Sequence, residues 1–158
     1  MAPLRTVSLR NERGQSVIEM ALTLPLLLLV VFGIIDFGFM FQRYEVVTNA
    51  AREGARLGVL PTYTATEAQN RALDYLRASG LNGTERTCGG TEVKNTMCAG
   101  MSTSTVTVAG STPTKTVSQV TMIVEYDHEH SFVGPILRLF GASWGTVRLR
   151  AASSMRSE

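Results

Sequence analysis

From Met20 to Phe41 the chain is apolar almost without a break. MALTLPLLLLVVFGII fills the sixteen positions between Glu19 and Asp36, and FGFMF follows before Gln42 and Arg43. A helix rising about 1.5 Å per residue needs about 20 residues to cross the hydrocarbon of a bilayer. The 22 residues of this run meet that length and predict a membrane span over about 20–41. The helix is expected to begin at Gln15 and to continue beyond the span to about Val59. Pro61 then stops it, by removing a donor and restricting the residue before it. Such a rod is about 68 Å long, far more than a bilayer is thick. Pro25 lies inside the span, where neighbouring groups can satisfy the carbonyl that it frees.

Beyond Pro61 the periods change. A second helix is predicted from near Thr66, where Thr66-Glu67-Ala68-Gln69 fits a capping box. Ala68, Ala72, Leu73 and Leu76 fall on one face, and Gly80 is a natural stop. Residues 81–102, rich in Gly, Thr and Asn, read as a loop. From Ser104 the period is two: Val106 and Val108, then Val120, Met122, Val124 and Tyr126, then Val147 and Leu149 alternate with polar or opposite-facing residues. These are three or four antiparallel strands, joined in part by an apolar, partly helical connection over 132–141. One face of such a sheet must be buried, and the second helix and the far end of the long helix are the elements available to cover it. The fold class is α+β.

Charge adds a direction. Residues 1–14 hold Arg5, Arg10 and Arg13 against Glu12, and the remaining chain has 12 basic and 12 acidic residues. A nucleic-acid binder concentrates Lys and Arg on one face of its folded part, and that pattern is missing here. Arginines flanking a span stay on the cytoplasmic side, which sends residues 61–158 outside. There, Cys88 and Cys98, ten positions apart in the loop, favour a disulfide. A zinc site needs two further ligands at workable spacing, and none lie nearby in sequence, so no metal or other cofactor is assigned.

The N-terminus differs from a secretory signal, whose shorter apolar core is closed by a small-residue cleavage site. Here the marked feature precedes the apolar run: Arg13-Gly14-Gln15-Ser16-Val17-Ile18-Glu19. It resembles the processing site of type IV prepilins, whose peptidase cuts after glycine on the cytoplasmic side and leaves the apolar segment attached. The mature chain of that family carries Glu at its fifth position, and the fifth residue from Gln15 is Glu19. Cleavage creates an amine at Gln15 that a carboxylate on a neighbouring subunit can pair with, whereas either charge alone in an apolar core is costly. GQSVIEMALTLPLLLLVVFGIIDFGFMF followed by NAAREGAR resembles the TadE-like proteins of tight-adherence (Flp-type) pilus systems over residues 14–58. The ending on Ala151–Arg156 is also similar, and Met20 departs from the aromatic residue common there.

The resemblance implies a pilin-like architecture: a leader over 1–14, a long helix over 15–60, and a small extracytoplasmic domain over 61–158. It implies a minor pilin or pseudopilin in the bacterial inner membrane, structural rather than catalytic. The partners implied are the prepilin peptidase, other pilins, pilus assembly proteins and lipid, with surface attachment and biofilm formation as the outcome. The rival from another class is a bitopic sensor or ligand-binding protein, which would keep residues 1–14. A tethered hydrolase is disfavoured because no nucleophile-elbow, metal-helix or paired-carboxylate motif occurs.

Four further features bear on function. Ala50, Gly54 and Gly58, with Ala51 and Ala55 beside them, form a ridge of small residues that admits another backbone closely. Either a second subunit or the chain's own sheet can occupy it. Asp36 lies near the outer end of the span, where a hydrated or helix-capping role is expected. Asp127-His128-Glu129-His130 places two imidazoles on one strand face, but without a third ligand it is read as a solvated strand end. Asn82-Gly83-Thr84 matches a glycosylation sequon, a pattern common by chance.

Overall fold

The computed structural model describes residues 12–108, 115–139, 141 and 145–156, so most of the leader lies outside the described residues. Helix α1 (Glu12–Gly58) is continuous for 47 residues, about 70 Å. It starts three residues ahead of the expected Gln15, so Gly14 and Gln15 are helical. Pro25 is accommodated within it. Two residues earlier, the Thr23 hydroxyl donates to the carbonyls of Glu19 and Met20 at 3.0 and 3.3 Å.

The two halves of α1 have different surroundings. Up to Phe41 nearly every large apolar side chain is exposed, whereas Val47, Ala50, Ala51 and Ala55 are fully buried. This second set recurs every three to four residues and makes one stripe along the helix.

Helix α2 (Ala65–Ala78) packs beside that stripe through Ala68, Ala72, Leu73 and Leu76, the four residues expected on its inner face. Its cap corrects the sequence expectation. Thr64, not Thr66, accepts the N–H of Glu67 at 3.3 Å, and the Glu67 carboxylate accepts the N–H of Thr64 at 2.8 Å. Both four-residue segments fit the pattern, but an ionised Glu binds an N–H more strongly than Gln and suits the positive end of the helix dipole. The hydrogen bond from the Thr64 backbone accordingly holds the Glu67 carboxyl below its usual range. At the other end, Gly80 takes φ +82° and the Leu81 N–H returns to the Leu76 carbonyl at 2.9 Å, a Schellman closure that buries both leucines.

Four strands follow: β1 (Thr84–Glu85), β2 (Thr96–Val108), β3 (Lys115–His128) and, after the short helix α3 (Val133–Leu139), β4 (Val147–Arg156). They pair in the order β1-β2-β3-β4, with β1 parallel to β2 and the others antiparallel. The sheet is therefore mixed rather than wholly antiparallel, and the expected loop over 81–102 contains β1 and the first half of β2. The reason lies in burial on both faces. Met97 points to the helices and Cys98 to the opposite side, and each is almost fully enclosed. Alternation of polar and apolar residues marks only a strand with one wet face.

Val120, Met122, Val124 and Tyr126 of β3, with Leu149 and Ala151 of β4, face α1 and α2 and complete one core. The result is two layers, with the membrane-length part of α1 projecting beyond them.

Candidate functional site

The first half of α1 is a long apolar surface that the described fold leaves mostly exposed. Of the helices described, α1 is long and apolar enough to cross a membrane, and the rest of the protein buries none of its most apolar eighteen-residue window. Val17, Ile18, Leu22, Leu26, Leu27 and Ile34 are exposed on every side of the helix. A helix apolar all round is the form suited to lipid or to a bundle of like helices. Gly14, Gln15 and Glu19 lie at its start, all exposed.

The end of this surface nearest the sheet is closed by an arrangement that sequence reading located only in part. The Asp36 carboxylate is 2% exposed and accepts the N–H groups of Ser131 at 3.2 Å, Phe132 at 3.2 Å and Val133 at 2.8 Å. It therefore caps α3, a helix nearly a hundred residues away, satisfying donors that a helix start otherwise leaves open. Phe132, beside the cap, stacks on Phe32 with ring centroids 5.8 Å apart and lies 6.3 Å from Phe39. His130 Nδ1 is 4.0 Å from Asp36 Oδ2.

The small-residue ridge is occupied from within the chain. A Cβ on Gly54 would stand 3.0 Å from the Ala72 Cβ and 3.1 Å from the Ala68 carbonyl oxygen, and one on Gly58 would meet Met101 and Val120. Helix α2 and the sheet take the place that a second subunit would otherwise use, and Ala50, Ala51 and Ala55 are buried in the same contact.

On the far face of the sheet, Cys88 and Cys98 form a disulfide. It helps hold the 86–95 loop over Glu125 and Asp127, both nearly or fully enclosed. Arg86 reaches Glu125 at 2.9 Å and Asp127 at 3.3 Å, and Arg148 donates to Asp127 at 2.8 Å. The N–H groups of Gly89 and Val93 point at the two carboxylates as well. Burial opposes ionisation of both acids, but these hydrogen bonds and the arginines outweigh it and hold both carboxyls below their usual range. Sequence gave no sign of this network, because Arg86 and Arg148 meet Asp127 only through the strand register. Cys88, Cys98 and Glu125 also place three metal-type donor atoms within 4.8 Å, but the two sulfurs are bonded to each other and are not free to ligate.

The expectation of a solvated end over 127–130 is overturned at its first two residues. Asp127 and His128 are fully buried. Arg43, two residues beyond the apolar run, contacts His128 Nδ1, while His128 Nε2 has no hydrogen-bond partner among the described residues. Burial, helped by the Arg43 charge, pushes the His128 imidazole down to about 4, so it is neutral near pH 7. The histidines lie at the foot of the sheet where α1, β3 and α3 converge, and that convergence excludes water.

Residues 14–56 match the family model for TadE-like protein. No curated protein and no solved structure matches the chain. The TadE-like segment starts at Gly14, covers the exposed apolar half of α1, and ends two residues past Gly54. It therefore includes the helix surface and the first part of the ridge, but neither the sheet nor α3. The resemblance seen over GQSVIE to NAAREGAR is thus found independently over nearly the same residues.

Proposed function

We propose that the chain is a minor pilin or pseudopilin of a tight-adherence pilus machine, inserted in the bacterial inner membrane with its N-terminus cytoplasmic. The prepilin peptidase cuts it between Gly14 and Gln15, and the mature chain joins or primes a filament with other pilins and inner-membrane assembly proteins. Its role is structural, supporting attachment and biofilm formation; it is the substrate of an enzyme rather than an enzyme. The observation that carries this reading is the half-exposed α1: an all-round apolar helix, opening on Gly14–Glu19, that a compact domain holds by its far end. The TadE-like match beginning at Gly14 supports the same reading.

Among the described residues nothing stands within 4 Å of where a Gly14 Cβ would lie, which leaves the bond after it open to a protease that can unwind one helical turn. Glu19 is exposed on the helix surface, available to an amine generated at Gln15 of a neighbour.

Intact-mass measurement or N-terminal sequencing of the membrane-extracted protein tests the proposal. The expected chain starts at Gln15 when the prepilin peptidase is active and retains residues 1–14 when it is inactivated. Retention of residues 1–14 in both strains would favour a bitopic sensor that keeps its leader. Glu19→Ala is expected to be cleaved nearly as well as the parent yet to be depleted from sheared filaments; full incorporation would defeat the pairing role.

A further inference from the structure

We propose that Ser131–Leu139, comprising α3 and the turn before it, is an interfacial element that enters the outer leaflet of the bilayer beside α1, so that the membrane grips the domain at two places. The inference rests on the membrane reading of α1 and adds a second lipid contact to it.

Depth supports the assignment. Asp36 lies five residues before Phe41, the end of the apolar run, and Phe32 nine residues before it. At about 1.5 Å per residue, the cap of α3 sits about 7 Å inside that end and the Phe32 ring about 13 Å inside. Helices that lie in the interface bury their apolar face about 5–10 Å below the headgroup boundary. Phe132, stacked on Phe32 and beside Phe39, is thus at a level where α1 itself faces hydrocarbon. It is still 41% exposed, and it has no reason to be wet at that depth.

The chemistry agrees. A carboxylate within the apolar run is costly unless its charge is satisfied. Asp36 is satisfied by three backbone N–H groups from Ser131, Phe132 and Val133, which are the donors that α3 must not leave bare in lipid. Each group removes the other's cost of entering the bilayer. Pro135 stands in the first turn of α3, where its missing N–H is harmless. At the last turn the exposed Arg138 lies 3.6 Å from Glu129 and can reach a headgroup phosphate while its stem stays in apolar surroundings. Between the two helices, Leu29, Gly33 and Phe37 of α1 and Val133 and Leu137 of α3 line a hollow of about 210 Å³. It opens from the same α1 surface that faces lipid, so acyl chains are its natural filling.

Tryptophan quenching tests the proposal in full-length protein reconstituted in phosphatidylcholine–phosphatidylglycerol vesicles. Trp144→Phe removes the one native tryptophan, and single tryptophans are placed by Phe132→Trp, Ile136→Trp and, within the span, Leu27→Trp. Lipids brominated near the top of the acyl chains should quench the first two at least twofold and more than lipids brominated near the chain ends, while aqueous iodide leaves them unaffected. The deep bromines should quench Leu27→Trp. If Leu27→Trp is quenched but Phe132→Trp and Ile136→Trp are open to iodide, the interfacial element is refuted and the span stands. Shielding of both from iodide and from brominated lipid would mean that a second copy covers α3, and overturns the proposal equally. An unquenched Leu27→Trp would remove the membrane reading itself. Two positions in the element, one in the turn and one on α3, guard against one variant misfolding.

Discussion

Asp36 accepts the N–H of Val133 at 2.8 Å across 97 residues of sequence, which ties the middle of α1 to the start of α3. Removing the carboxylate leaves enclosed donors without a partner, at a cost of about 1–3 kcal/mol. Asp36→Ala should therefore lower thermal stability and speed amide exchange at Phe132 and Val133 well before it affects α2. Asp36→Asn keeps one acceptor and should lose less. Exchange measured by mass spectrometry on the detergent-solubilised protein checks both.

The close approach of α1 and α2 at Gly54 gives a second outcome. A side chain there meets the Ala72 Cβ and the Ala68 carbonyl, which is backbone and cannot swing aside. Gly54→Val should cost about 2–3 kcal/mol through overpacking. Gly33→Ala is the contrast, because none of the described residues lies within 4 Å of its Cβ position and alanine favours a helix. Denaturant midpoints of the two variants should move in opposite directions, or Gly33→Ala should not move.

Arginines around the buried acids should divide by burial. Arg86, with a side chain 12% exposed, bridges Glu125 and Asp127, whereas Arg150, at 60%, lies 3.6 Å from Glu125 at the surface. Arg86→Ala strands buried charge and should cost about 3–5 kcal/mol. Arg150→Ala should cost under about 1 kcal/mol. Equal losses in equilibrium unfolding would show that the loop over these acids does not exclude water.

Stability should fall in mild acid. His128 titrates near 6.5 when unfolded and near 4 in the folded chain, so between these values the unfolded state binds the extra proton. The folded state is favoured fully above about 6.5 and loses on the order of 3 kcal/mol as the pH drops to about 4. Glu125 and Asp127, held below their usual range, support the fold above that range and give way at still lower pH. Unfolding midpoints from pH 7.5 to 4.5 should decline, and His128→Gln should flatten the decline over that interval.

Several of these features were legible in the chain and several were not. The inner face of α2 followed from spacing, because Ala68, Ala72, Leu73 and Leu76 have one partner surface and recur at the helical period. The start of β2 was hidden, since Met97 and Cys98 are both enclosed and a strand buried on two faces carries no alternation. Asp36 was visible as a charge in an apolar run, but its role depends on α3 arriving beside it, which no local pattern records. His128 and Asp127 looked like a wet strand end for the same reason: four charged or titratable residues in a row suggest solvent until the rest of the fold covers them.

The chain by itself determined the apolar rod, the Gly14–Glu19 start, the cysteine pair and the α+β alternation, because each depends on short-range spacing. Only the tertiary structure decided that the Ala50–Gly58 ridge is filled by α2 and the sheet, that β1 runs parallel to β2, and that Arg86, Arg148 and Asp36 find their partners. Burial and long-range hydrogen bonding are properties of the whole packed molecule, and a local sequence pattern states which residues can be covered without stating what covers them.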